Sequence, residues 1–324
     1  MDAALEYHDN LNYNDTSFPI EDISSRITSD NGSEQRFFHE LETFTIMSIF
    51  VICILGAVGN GIIIWLLGFR IKRNPFITYI LNLAVADFGL LVSWIIILFV
   101  SKPFDKRYKF PTIISALFYF LFLSMYGAGQ FLLTAISIDR CVAIFFPLWH
   151  QCRRPAHLST VVCVVIWVLS SLLSMITVSI IMIYFNGNLI LFSYQFMVNA
   201  VLCLPLMTSA TLALFIKVCS KAQQQRRGKL LTIILVTLLC FLFLAFPLNV
   251  IVILRYYNYI HSYFEVCALA LSCLNSSVNP MIYFLVGRQR KARQKESLKV
   301  ILQKVFREEE GCAEELQTPD ETQL

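Results

Sequence analysis

Seven apolar runs constrain this chain more than any other feature: residues 44–67, 77–100, 111–138, 158–185, 189–216, 230–254 and 266–286. The shortest has 21 residues and the longest 28, and the one Asp, Glu, Lys or Arg in all seven is Asp87. A helix needs roughly 20 apolar residues to cross a bilayer. Lipid offers backbone amides no water, so a spanning segment must be a helix or a strand of a closed barrel. None of the runs alternates as barrel strands do. The pattern predicts an all-α membrane protein, a seven-transmembrane helix bundle. At 57% apolar and 15% charged, the chain is also poorer in charge than a soluble domain, which is about a quarter charged.

Lys and Arg gather on the cytoplasmic side of a membrane protein. With the amino terminus outside, 19 of the 26 lie in cytoplasmic segments: three in the first loop, three in the second, five in the third and eight in the tail. The other side holds seven, four of them between Lys102 and Lys109. This predicts a multi-pass membrane protein with its amino terminus outside. No apolar run precedes residue 44, so the first span is expected to act as its own insertion signal. The net charge of +4 reflects this inner bias and indicates a lipid bilayer, with no nucleic acid, as partner.

Four segments follow. Residues 1–42 carry ten acidic against two basic side chains and are expected to be an extracellular disordered tail. Their sequons, Asn14-Asp15-Thr16 and Asn31-Gly32-Ser33, make Asn14 and Asn31 glycosylation candidates. Residues 43–287 form the bundle. In residues 288–306, Leu298, Ile301, Leu302, Val305 and Phe306 recur at helical spacing among basic residues. This predicts a cytoplasmic amphipathic helix lying on the membrane surface. Residues 307–324 are a cytoplasmic tail, with Cys312 a weak palmitoylation candidate. The loops are too short to house a catalytic domain, so no enzyme is expected. No CxxC or Cys/His cluster indicates a metal centre.

Polar residues inside the runs are the functional candidates. A carboxylate at mid-membrane depth is expensive to keep. Asp87 therefore binds a small cation, relays a proton or serves as a structural node, and Asn60 is its expected partner. Asn275, Ser276 and Asn279 fall near one face of the last run and could complete that polar site. Pro205, Pro247 and Pro280 sit inside three late runs and predict kinks. Where the third run ends, Asp139-Arg140-Cys141 has two readings with even odds: an interfacial anchor with a snorkelling Arg, or a cytoplasmic switch. A retinal pump would need a Lys in the last run, and 266–286 has none. A transporter with a midplane cation or proton site at Asp87 remains the alternative, although the chain has no visible internal repeat.

These residues resemble a known family. Gly59-Asn60, Leu83-Ala84-Val85-Ala86-Asp87, Asp139-Arg140-Cys141 with Pro147, Trp167, Pro205, Pro247 and Asn279-Pro280-Met281-Ile282-Tyr283 stand in the order of a rhodopsin-like (class A) G protein-coupled receptor. Trp65-Leu66-Leu67-Gly68-Phe69-Arg70, Arg73-Asn74-Pro75-Phe76, Leu133-Thr134-Ala135-Ile136-Ser137, Phe284-Leu285-Val286-Gly287 and Glu296-Ser297-Leu298-Lys299-Val300 narrow the resemblance to the Mas-related receptors. It covers roughly residues 44–306.

The resemblance implies that an unidentified extracellular peptide or small molecule shifts the bundle to a state that catalyses nucleotide exchange on a heterotrimeric G protein of the Gq or Gi class. Asp139, Arg140, Cys141, Leu148, Asn279, Pro280 and Tyr283 would form the coupling switch. Asn60, Asp87, Asn275, Ser276 and Asn279 would form a sodium-type polar site, with no other cofactor. Trp94, Tyr119, Phe122, Tyr126, Tyr194, Met197, Asn249, Arg255 and Glu265 would line the ligand pocket. The chain departs from the class pattern at several places, the first of them shared by Mas-related receptors generally. Ala245 stands where the class has a tryptophan, Ala213 stands for a tyrosine, and Thr177 and Gln195 lie near positions where some members carry acids. Phe122 stands where amine receptors carry an acid, which argues against an amine ligand.

Overall fold

A computed structural model describes residues 20–71, 74–101, 112–155, 157–183, 190–220, 236, 239–240, 243–244, 246–256 and 262–287. Every regular element among them is a helix: α1 (Ile20–Phe69), α2 (Pro75–Ser101), α3 (Thr112–Phe145), α4 (Pro147–Cys152), α5 (Leu158–Ile183), α6 (Ile190–Ser220), α7 (Phe246–Tyr256) and α8 (Ser262–Gly287). Five carry spans long and apolar enough to cross a membrane: Thr43–Phe69, Pro75–Leu98, Ala116–Phe145, Leu158–Ile183 and Tyr194–Ile216. Val266–Ile282 is a shorter apolar helix in the seventh run. Only part of the sixth run is described, and the amphipathic helix and tail expected over 288–324 lie outside the described residues.

The chain divides into two compact units, Met1–Phe44 and Thr45–Leu324. In the first, residues 20–44 are helical. Asn31 stands on this helix, and Asn14 lies outside the described residues.

In the second unit local chemistry sets several boundaries. The Asn74 side-chain oxygen accepts the Ile77 N–H at 2.7 Å, and Pro75 occupies the first position of α2, the arrangement that starts helices well. Pro147 likewise opens the short α4. Pro205 and Pro280 lie within α6 and α8. Pro247, expected within a span, lies in α7.

Helix α3 packs against α2, α4, α5 and α6, while α7 lies between α6 and α8. Lipid is as apolar as a leucine side chain, so close approach and hydrogen bonds hold such helices together. α5 illustrates this: Val161, Val164, Val165, Val168, Leu169 and Leu172 are exposed. Its buried residues are Ser159, Cys163, Ile166, Ser170, Ser174 and Thr177. Ser170 donates to Leu/Ser-lined α3 at the Ser124 carbonyl, 2.6 Å away. Ser174 and the Gln195 amide of α6 are 3.1–3.2 Å apart, and Gln195 also donates to the Leu123 carbonyl at 2.9 Å. Gly127 permits this approach: a Cβ there would stand 2.7 Å from Ser170 Oγ and 3.0 Å from Gln195 Nε2.

The apolar core falls into two clusters. One contains Leu67, Phe76, Ile77, Leu83, Leu132, Ile136, Met207 and Leu214. The other contains Ile49, Leu91, Phe122, Leu123, Tyr126, Phe196 and Leu248. Asn60, Asp87, Ser276 and Asn279, all buried, lie in sequence between the two clusters on their helices.

Candidate functional site

Helix α3 does not stop where its apolar run stops. It continues through Asp139, Arg140 and Cys141 to Phe145. A snorkelling anchor would hold its guanidinium in water, but Arg140 is only 4% exposed. Its guanidinium lies 4.3 Å from the centre of the Phe76 ring, a cation–π distance. Arg140 Nη2 donates to Asp139 Oδ2 at 2.9 Å. Cys141 Sγ donates to the Ala210 carbonyl at 3.4 Å and ties α3 to α6.

The other carboxylate oxygen has a partner that sequence reasoning missed. Arg154 Nη2 is 2.8 Å from Asp139 Oδ1. The same guanidinium donates to His150 Nε2 at 2.7 Å and to Ser159 Oγ at 2.6 Å. Because arginine can only donate, His150 Nε2 is the acceptor in this arrangement, and it lies 3.8 Å from Asp139 Oδ1. One carboxylate thus joins α3 to the segment after α4, and Arg154 carries the link on to the start of α5. Leu148 on α4 is 76% exposed, and Phe145, Phe146 and Trp149 are exposed beside it, leaving an apolar surface next to the charged cluster.

In the polar belt, Asp87 Oδ2 accepts the Asn279 amide at 2.7 Å, and the Ser276 hydroxyl also bonds Asp87. Asn60 does not take Asp87 as its direct partner, contrary to expectation. It donates to the Gly56 and Ser276 carbonyls, each at 3.0 Å, and pins α1 to α8. An amide has two donors and satisfies them best where backbone carbonyls converge. Asn275 and Asn279 are buried, and the side-chain oxygen of each has no hydrogen-bond partner among the described residues. Pro280 packs against Gly59, whose Cβ position is 3.3 Å from the proline ring. Of Tyr283 only the backbone is described, on α8.

The residues expected to line a ligand pocket divide in two. Trp94, Phe122 and Tyr126 form a ladder: Trp94 and Phe122 ring centres are 5.7 Å apart, and Phe122 and Tyr126 stack at 6.2 Å. Phe196, missed in the sequence, continues it 5.3 Å from Tyr126. Asn249 is fully buried, and its amide donates to Gln130 Oε1 at 3.4 Å. Tyr119, Tyr194 and Met197 are instead 43, 52 and 41% exposed. Arg255 and Glu265 are described by backbone alone, on α7 and α8. Thr177 and Gln195, near the positions of the family's acids, are buried in structural hydrogen bonds; Thr177 bonds the Leu173 carbonyl at 2.9 Å.

A helical bundle with a buried Asp-Arg pair at one end and a buried carboxylate in its midsection defines a class. Residues 59–283 match the family described as "7 transmembrane receptor (rhodopsin family)". The chain is 37% identical over 270 residues to the rat protein named Proto-oncogene Mas, covering 79% of this chain and 81% of that one. It is 39% identical over 270 residues to the human Mas-related G-protein coupled receptor member D, 79% and 83% of the two chains. With the rat Mas-related G-protein coupled receptor member H it shares 39% over 276 residues, 82% and 84%. The chain belongs to the Mas and Mas-related branch of the rhodopsin-family receptors, which are G protein-coupled receptors and neither enzymes nor transporters.

Proposed function

We propose that the receptor sits in the plasma membrane with its amino terminus outside, and that an extracellular ligand shifts it toward a state that engages a G protein of the Gq or Gi class. The 19-to-7 division of Lys and Arg supports the orientation, and Asn14 and Asn31 are then the glycosylation positions on the outer side. The ligand acts through its difference in affinity for the two states. The observation that carries the reading is Arg140, buried over Phe76 with Asp139 beside it at the end of α3. A charge so enclosed is released only by a helix rearrangement, and on release it faces the side where Leu148 and Cys141 lie. We place the G-protein contact there.

A sodium ion at Asp87 fits the donor set. The carboxylate, the Ser276 hydroxyl and the unpartnered side-chain oxygens of Asn275 and Asn279 are all hard oxygen donors. Asn60 positions the Ser276 backbone and holds the site without entering it. A bound cation neutralises Asp87 and favours the arrangement in which these groups converge.

The test is guanine-nucleotide exchange on purified Gq and Gi heterotrimers, with the receptor in nanodiscs. Receptor-dependent exchange on either is expected, with loss in Arg140→Ala at unchanged surface expression. Equal exchange by Arg140→Ala would remove the switch role of this residue.

A further inference from the structure

A group of uncharged amides lies below the aromatic ladder. Helices α3 and α6 touch along one register: Gln195 bonds the Leu123 carbonyl, and eight residues further along α6 Cys203 bonds Thr134. Asn199 lies between Gln195 and Cys203 at intervals of four residues, so it shares their face and meets α3 at the level of Gly127 and Gln130. Asn199 is fully buried, and neither atom of its amide has a hydrogen-bond partner among the described residues. Two more atoms are in the same condition, Gln130 Nε2 and Asn249 Oδ1. Gln130 and Asn249 are joined at 3.4 Å.

Two donors and two acceptors are therefore left unmatched in one neighbourhood. A buried polar group without a partner is expensive, and four together are rare in a settled core. Asp139, Arg140 and Arg154 belong to the far end of α3, and Asp87 is already bonded to Asn279. With no charge among these amides, burying an ion on them would leave its charge uncompensated. A neutral group that both donates and accepts matches all four atoms.

We propose that Asn199, Gln130 and Asn249 form a recognition site for a neutral donor–acceptor head, of the carboxamide or urea type, on a ligand whose flat apolar body lies along Trp94, Phe122, Tyr126 and Phe196. The proposal rests on reading the ladder as part of the ligand pocket. Tyr126 stands one turn before Gln130 on α3 and Phe196 three residues before Asn199 on α6, so a head group passing the ladder requires a ring to swing aside. The head group then takes the place of the long Gln130–Asn249 bond between α3 and α7. Binding is thereby coupled to the separation of those two helices, beside Pro247.

Benzamide, the benzamidinium cation and benzoate share one ring and differ in the head, and they separate the possibilities. Each is titrated against the full-length receptor in nanodiscs while thermal unfolding is followed. Benzamide at roughly ten times its Kd is expected to raise Tm by about 2–4 °C, and the two ions are expected to leave it unchanged. Asn199→Leu should abolish the benzamide shift while basal Tm is held or raised, since an unmatched amide is removed. Gln130→Met replaces it if Asn199→Leu does not fold. No shift with benzamide up to its solubility limit, equal shifts with either ion, or a shift surviving in the folded variant overturns the site. Basal nucleotide exchange is measured on the same samples. Exchange without a benzamide shift removes this site alone, whereas absence of exchange removes the proposed Gq or Gi coupling on which it rests.

Discussion

Arg154 Nη2 lies 2.8 Å from Asp139 Oδ1 while Arg140 Nη2 lies 2.9 Å from Oδ2, so one carboxylate is divided between two guanidiniums. Removing Arg154 leaves Arg140 as the principal cation for Asp139 and tightens its resting hold. Arg154→Gln should lower ligand-free nucleotide exchange by roughly fivefold, about 1 kcal/mol, and Asp139→Asn should raise it. In the Asp139→Asn background Arg154→Gln should have no further effect, because the shared partner is gone. Equal effects of Arg154→Gln in both backgrounds would show that Arg154 acts elsewhere.

Asp87 supplies the only carboxylate of the midsection, and the oxygens around it are neutral. Replacing potassium by sodium should lower ligand-free exchange by the intact receptor. Asp87→Asn should respond identically to both cations while keeping a hydrogen bond to position 279. A sodium response that persists in Asp87→Asn would locate the cation at another site.

Two glycines of α1 predict opposite outcomes for one substitution. At Gly56 a Cβ would meet Ser277 Oγ and Leu91 Cδ1 closer than real Cβ contacts allow, whereas at Gly68 nothing lies within 4 Å. Gly56→Ala should destabilise by about 1–3 kcal/mol, the usual range for overpacking. Gly68→Ala should be neutral or gain up to about 1 kcal/mol of helix propensity. Thermal unfolding in nanodiscs reads both, and Ser277→Ala should recover part of the Gly56→Ala loss.

Trp167 Nε1 donates to Asn82 Oδ1 at 2.9 Å between α5 and α2. Side-chain hydrogen bonds between membrane helices average about 0.6 kcal/mol. The hydrogen-bond part of the interaction, measured by a double-mutant cycle of Trp167→Phe with Asn82→Leu, should therefore stay below about 1 kcal/mol. A coupling of several kcal/mol would make this pair a principal clamp of the bundle.

The spans were legible because lipid imposes one requirement, apolar length, that a linear sequence records directly. The Asp87–Asn279 pair was legible for a related reason: polar groups are rare there and have few partners to choose among. Arg154 was not. It is fifteen residues beyond Asp139, and its approach depends on α4 turning the chain back, which no periodicity encodes. Composition names polar groups but not the rotation of a helix, which aims the Asn60 amide at backbone carbonyls rather than at Asp87. Asn199 is one polar residue in an apolar run, and only the packing of α6 on α3 brings it to the level of other amides.

The contact at Gly127 brings α5 and α6 against α3 with almost no side chain between, while α7 meets α3 through a hydrogen bond stretched to 3.4 Å. The bundle is therefore unevenly stiff. Bilayer tension or lateral pressure finds no slack on the Gly127 side and is absorbed where α7 faces α3, so a membrane of altered thickness pushes on the same joint that a ligand would open.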